Sequence, residues 1–225
     1  MKDRENVLSR REMLEMTIFL SGFAMTQPLT SVLARDGKHK LTPEQIMGPF
    51  YPIMKPLDQD ADLTVIKGKH GKAQGKIIHL SGLVLNQNGE PVRGARIEIW
   101  QANTHGRYAH PSDANSRPLD PNFQGYGVQT TDAQGRYRFK TIRPGSYPVD
   151  ANTIRTPHVH FDVMGKKDRL VTQMYFPSEP LNEKDSIFLE LGSNKDAAIG
   201  KVLPPTSNPE PESLFMVWDI VLDKG

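Results

Sequence analysis

His158-Val159-His160 is the segment with the clearest capacity for chemistry. In a β-strand, residues i and i+2 project from one face, so the two imidazoles stand together and can share a metal ion. Val159 and Phe161 alternate with them, as a half-buried strand requires. A pair of surface or hydrogen-bonded histidines has the same pattern, and the pair alone leaves the two readings level. The chain has no cysteine and no His-Glu-x-x-His motif, which removes disulfides, zinc ribbons, iron–sulfur clusters and thiol nucleophiles. Carboxylates near the pair are few, although Asp162 continues on the same face. Tyrosine remains as a donor. A phenolate is a hard anionic oxygen ligand, suited to Fe(III) rather than to Zn(II) or Cu(I). Its ordinary pKa of about 10 means that only a strongly Lewis-acidic ion holds it deprotonated at neutral pH. Two tyrosinates and a hydroxide would neutralise Fe(III) and make burial of the site tolerable.

Two tyrosines stand out. Tyr108 ends the stretch Trp100-Gln101-Ala102-Asn103-Thr104-His105-Gly106-Arg107-Tyr108, just beyond a predicted strand. Tyr147 lies in Arg143-Pro144-Gly145-Ser146-Tyr147-Pro148, a stiff turn ahead of the histidine strand. Either one alone reads equally as a core or loop tyrosine with a hydrogen-bonded hydroxyl.

The elements that must position these groups are short strands. Ile77–Leu85, Ala95–Trp100, Val128–Thr131, Tyr137–Ile142, His158–Val163, Leu170–Phe176, Ser186–Leu191 and Leu214–Leu222 carry β-rich or alternating patterns. Asn86-Gln87-Asn88-Gly89 reads as a turn, and Asp132-Ala133-Gln134-Gly135 as a hairpin signature. No long helix is predicted after residue 40. The expectation is an all-β fold, an antiparallel β-sandwich over residues 77–225, with residues 35–76 as an irregular N-terminal arm.

The bulk numbers agree. The 225 residues suit one domain with a tail, and 37% hydrophobic and 24% charged residues are ordinary for a packed domain. Eighteen Gly and 18 Pro imply many turns. The formal charge is +2, with no basic block of the kind that binds nucleic acid.

Residues 1–34 read differently. Arg10-Arg11 precedes a moderately apolar stretch, Thr17 to Met25, and Val32-Leu33-Ala34 offers a cleavage site. That order predicts a twin-arginine signal, export of the folded protein to the periplasm and removal of the segment. An amphipathic N-terminal helix on a cytoplasmic protein is the alternative, favoured by Glu15 and Pro28. The apolar run is too short to predict stable membrane insertion.

From Leu80 to Phe176 the chain resembles the catalytic domain of the intradiol ring-cleavage dioxygenases, above all the protocatechuate 3,4-dioxygenase branch. The matching stretches are Gly48-Pro49-Phe50-Tyr51-Pro52, Trp100-Gln101-Ala102-Asn103, Gly106-Arg107-Tyr108, Asp120-Pro121-Asn122-Phe123, Gly135-Arg136-Tyr137-Arg138-Phe139, Thr141 to Pro148 and Pro157-His158-Val159-His160-Phe161. The resemblance implies one non-haem Fe(III) per chain, held by Tyr108, Tyr147, His158 and His160. His39, His70, His79, His105 and His110 are expected to lie elsewhere. It assigns Arg155 to charge stabilisation and Gln173 to hydrogen bonding at the metal, and places Tyr51 and Val149 at the substrate pocket. It implies a small catechol and O₂ as substrates, with Tyr147 released to act as a base and a cis,cis-muconate as product. Without it, Arg155 reads as a salt bridge and Gln173 as a sheet-edge hydrogen bond. Two departures touch the pocket: Val149 replaces the branch's usual tryptophan, and the Tyr147–His158 stretch is about two residues short. The chain also lacks the long helical N-terminal region of the catechol and hydroxyquinol enzymes. Homo-oligomerisation is left open.

Two other classes compete. The Gly82–Ala95 stretch also resembles transthyretin-like binding modules, which need no four-ligand set. A hydrolase with a His-x-His zinc site is the third reading.

Overall fold

The computed structural model describes residues 38–150, 152–204, 210 and 212–225. The predicted signal, 1–34, lies outside the described residues. The chain folds as two sheets, a short ribbon and a small helical corner. The strands are β1 (Ile77–Asn86), β2 (Arg96–Trp100), β3 (Tyr126–Thr130), β4 (Arg136–Ile142), β5 (Tyr147–Pro148), β6 (Ile154–Arg155), β7 (His158–Met164), β8 (Arg169–Tyr175), β9 (Lys201–Leu203), β10 (Leu214–Val217) and β11 (Ile220–Leu222).

One sheet holds β4, β1, β10 and β9 side by side, with β11 continuing along the far end of β1. The other runs β3-β2-β7-β8 and is wholly antiparallel. β10 and β11 run parallel to β1, the exception to an otherwise antiparallel pattern. The alternation in the sequence shows which faces meet. Ile78, Leu80 and Val84 of β1 and Tyr137 and Phe139 of β4 pack against Ile97 and Ile99 of β2 and Val159, Phe161 and Val163 of β7. This is the apolar core of the sandwich.

Three expectations change, and the first is that the predicted Leu214–Leu222 strand is two strands, β10 and β11, parted at Trp218 and Asp219. The Asp132–Gly135 turn forms, with Asp132 Oδ1 accepting the Gln134 and Arg136 amides and Gly135 at φ 73°. The strands it joins lie in different sheets, because β3 pairs with β2 and β4 with β1. The expected strand at 186–191 is instead a helical turn, α1 (Ser186–Leu189), between 3₁₀ turns at Pro180–Lys184 and Gly192–Ala198. Asp185 caps α1 by accepting the Phe188 amide, and a proline opens the turn before it.

The inner face of the second sheet is core. The outer face carries Glu98 and Trp100 on β2, His158, His160 and Asp162 on β7, and Gln173 and Tyr175 on β8. The arm covers it. Gln45 donates its amide to Val171 O and its side chain to Gln173 O. Tyr51 donates to the buried Glu98 carboxylate, which also accepts from Lys55 and Tyr126. The arm thus buries a polar sheet face, with the Glu98 carboxylate and the Gln173 carbonyl hydrogen-bonded to it.

Candidate metal centre

Strand register assembles the histidines. His158 and His160 share the outer face of β7, with Trp100 opposite His160 on β2, and Gln173 opposite His160 and Tyr175 opposite His158 on β8. Trp100 stacks on His160 at 4.8 Å between centroids and 8° between planes. Both imidazoles are 2% exposed.

The tyrosines come from loops. Tyr108 follows a turn in which Asn103 Oδ1 accepts the His105 and Arg107 amides, and its own amide donates to Asp113. Tyr147 opens the β5–β6 ribbon. The Gly145 amide donates to Asn103 O, and Arg117 donates to both His105 O and Ser146 O, so the two tyrosine loops are tied together. The rings converge: Tyr108 to Tyr147 is 5.5 Å, Tyr147 to His158 5.7 Å, Tyr108 to His160 6.3 Å and His158 to His160 4.8 Å. Phe50 of the arm stacks on Tyr108 at 4.6 Å.

The electrostatics suit a cation. Burial holds both histidine pKa values well below the usual imidazole range, helped for His160 by its neighbour His158. Both rings are therefore neutral at neutral pH. His158 Nδ1 lies 2.6 Å from Thr156 O, and a carbonyl only accepts, so Nδ1 carries the proton. The bare Nε2 of His158 then faces His160 Nε2 at 3.1 Å. Burial raises both phenol pKa values, that of Tyr108 further with Tyr147 beside it, while Arg155 opposes the rise. Tyr108 Oη and His160 Nδ1 are buried without a hydrogen-bond partner. A neutral imidazole lone pair, a second imidazole against it and an orphaned phenol oxygen are what a hard cation would satisfy. Among the described residues no group of three His, Cys, Asp or Glu is placed to hold a metal, so any such centre must recruit the phenols.

Arg155 and Gln173 join this set. Arg155 donates through Nη2 to Gln173 Oε1 at 2.6 Å and through Nε to Asp185 at 2.8 Å. Gln173 Nε2 donates to Ile46 O of the arm. Tyr51 is not brought to the four rings: its hydroxyl goes to Glu98 and its ring meets Trp100 edge-on. Val149 is 60% exposed just past the end of β5, rather than in a buried wall. His79 stacks on Phe215, His105 contacts Gln74, and His110 packs against Phe50, one ring removed from Tyr108. The residues missed from sequence are Gly48, Asp185, Thr156 and Asp113. Gly48 holds a φ of 74°, and a Cβ there would lie 3.3 Å from His160 Cε1. In the sequence it stands only as part of the matching stretch Gly48-Pro49-Phe50-Tyr51-Pro52, with no sign of this contact.

Comparison with known proteins gives the family. A family model described as Dioxygenase matches residues 46–224. The protocatechuate 3,4-dioxygenase beta chain of Burkholderia cepacia is 50% identical over 189 residues, 80% of this chain and 79% of that one. A catechol 1,2-dioxygenase of Candida albicans is 29% identical over 185 residues, and the match spans only 59% of its length. Among solved structures, the dioxygenase domain of a carbohydrate-binding fusion from Streptomyces sp. SirexAA-E superposes with a TM-score of 0.61 at 26% identity, covering 83% of this chain and all of that one. The match over residues 46–224 takes in both tyrosines, both histidines, Arg155 and Gln173, and the chain belongs to the intradiol ring-cleaving dioxygenases.

Proposed function

We propose that this enzyme cleaves a small catechol between its two hydroxyl-bearing carbons with O₂, giving a cis,cis-muconate, and that Tyr108, Tyr147, His158 and His160 hold one non-haem Fe(III). The observation that carries the proposal is the convergence of two neutral, buried imidazoles and two buried phenols, one with an orphaned oxygen. Ferric iron supplies Lewis acidity that holds phenols as anions and draws electron density from a bound aromatic diol.

The protein's own groups have separable roles. His158 presents Nε2 because Thr156 O keeps the proton on Nδ1. Tyr108 is held by its backbone and by Phe50, and stays in place. Tyr147 lies on a two-residue strand opposite Arg155, and its phenolate takes a proton from a substrate hydroxyl as substrate enters. Arg155 stabilises negative charge that develops on the ring, and Gln173, gripped at both ends, orients a polar group at the metal. Trp100 and Phe50 keep water off the ligand rings.

A carboxylated catechol of the protocatechuate type fits the 50% identity to the Burkholderia beta chain. The Arg155 guanidinium is already engaged by Asp185 and Gln173, so a substrate carboxylate would draw on other groups. Export through the twin-arginine signal belongs to the same proposal, and mass spectrometry of the periplasmic protein tests it: an intact Met1 would count against it. The test of activity is iron analysis of the purified protein followed by product analysis on a panel of catechols. Formation of a semialdehyde, the mark of cleavage outside the diol, would overturn the reaction class.

A further inference from the structure

We propose that Asp185 is a positioning residue whose single carboxylate sets both the Arg155 guanidinium and the Thr156 peptide that orients the His158 imidazole. The inference rests on the ring-cleavage function proposed above. Asp185 lies at the start of α1, remote in sequence from every ligand, and is fully buried.

Three N–H groups converge on this carboxylate. Oδ2 accepts from Arg155 Nε at 2.8 Å and from the Thr156 amide at 2.9 Å, and Oδ1 accepts from the Phe188 amide at 3.1 Å. The guanidinium is planar, so fixing Nε on Asp185 and Nη2 on Gln173 fixes the plane and the direction of Nη1. Arg155 is the register partner of Tyr147, so the guanidinium is set on the same pair of short strands as that phenol. The second branch runs through Thr156. Its amide is held by Asp185, its carbonyl accepts the His158 Nδ1 proton at 2.6 Å, and its hydroxyl donates to Asn182 at 2.8 Å. Asn182 is itself buried and donates to Phe176 O, so the 180–185 turn is a rigid buttress behind β6 and β7.

A fully buried ion pair is weak support for stability, because removing two charges from water costs about as much as their attraction returns. A carboxylate with three N–H donors defines geometry far better than an apolar side chain could. Groups that orient metal ligands typically change metal affinity by about 10–100-fold when removed.

Asp185→Asn separates the two branches when made in the wild-type and the Arg155→Ala backgrounds. Iron affinity is read by competition with a chelator, catechol affinity by anaerobic titration, and kcat on iron-saturated protein. In the wild-type background, iron affinity should fall by about 10–100-fold. The kcat should fall by about tenfold or more while the anaerobic Kd changes by less than about threefold. In the Arg155→Ala background the loss of kcat should shrink to less than about twofold, while the loss of iron affinity persists in full. Losses of kcat that multiply across the two backgrounds, or an unchanged iron affinity, would overturn the proposal. If Asp185→Asn does not fold, Asp185→Glu keeps the charge and displaces the carboxylate, and the same pattern is expected. A wild-type protein that binds iron but cleaves no catechol would refute the functional reading, and the affinity measurement would still decide the His158 branch.

Discussion

Tyr147 and Arg155 are register partners across the β5–β6 ribbon, so a phenol and a guanidinium are placed by the same pair of two-residue strands. The guanidinium lowers the phenol's proton affinity against the larger effect of burial, which raises it. A phenol poised between two opposing influences suits a group that must bind as an anion and later carry a proton.

The two tyrosines should therefore respond differently to loss of the hydroxyl. Tyr147→Phe is expected to retain most of its iron and to lose about 10²-fold or more in kcat. Tyr108→Phe removes the hydroxyl of the proposed ligand that Asp113 and Phe50 hold in place, and should lose iron itself. Metal analysis and the tyrosinate-to-iron absorption band check both. Equal iron loss in the two variants would remove the distinction.

Arg155→Ala should keep the absorption band and lose about 10²-fold in turnover. It also leaves the Asp185 carboxylate buried without its partner. Removing one member of a buried pair costs about 3–5 kcal/mol, so a clear drop in Tm is expected alongside the kinetic loss. A variant with an unchanged Tm would show that Asp185 is satisfied without the guanidinium.

The metal-free protein should be acid-sensitive in a defined window. Both histidines have folded pKa values depressed well below 6.5, so the unfolded chain binds more protons than the fold as pH falls. Their contribution to stability is fully present above about pH 6.5 and is lost as pH drops from there towards the folded values. Urea unfolding at pH 7, 6 and 5 should show falling stability across that interval. A flat profile would mean that the imidazoles accept protons inside the fold.

Gly48→Ala should cost about 1–2 kcal/mol from the left-handed backbone alone. The added methyl would lie 3.3 Å from His160 Cε1, so the imidazole must also give way. Lower Tm together with reduced iron affinity is the expected pair of outcomes. A lower Tm with unchanged iron affinity would confine the effect to the arm.

What could be seen in the sequence was local. The period of a strand put His158 and His160 on one face without knowledge of any neighbour, and the structure keeps them there. Tyr108 and Tyr147 stand out as donors, but only motif resemblance joins them to the histidines, because the loops that carry them are tied together by Arg117 and Asn103, contacts without a sequence period. The strand predicted over 186–191 is a helical turn because a short apolar run fits both equally, and the Asp185 cap decides between them. The role of Asp185 itself depends on partners 29 and 30 residues away in the chain, Thr156 and Arg155. Tyr51 was drawn to the pocket by its motif, while the carboxylate that holds its hydroxyl lies 47 residues later.

The parallel pairing of β10 and β11 with β1 also dictates an order of events during synthesis. The sheet that bears the histidines uses strands from residues 96 to 175 and can pair as soon as these have left the ribosome. The opposite sheet is complete only when residue 222 has been made, because β1 waits for partners 136 residues downstream, Ile78 for Leu214 and Asn86 for Leu222. Closure over such a span is slow compared with local pairing. For that interval the nascent chain presents the apolar inner faces of β2 and β7 with only part of their cover, a stage at which chaperone capture competes with completion of the fold.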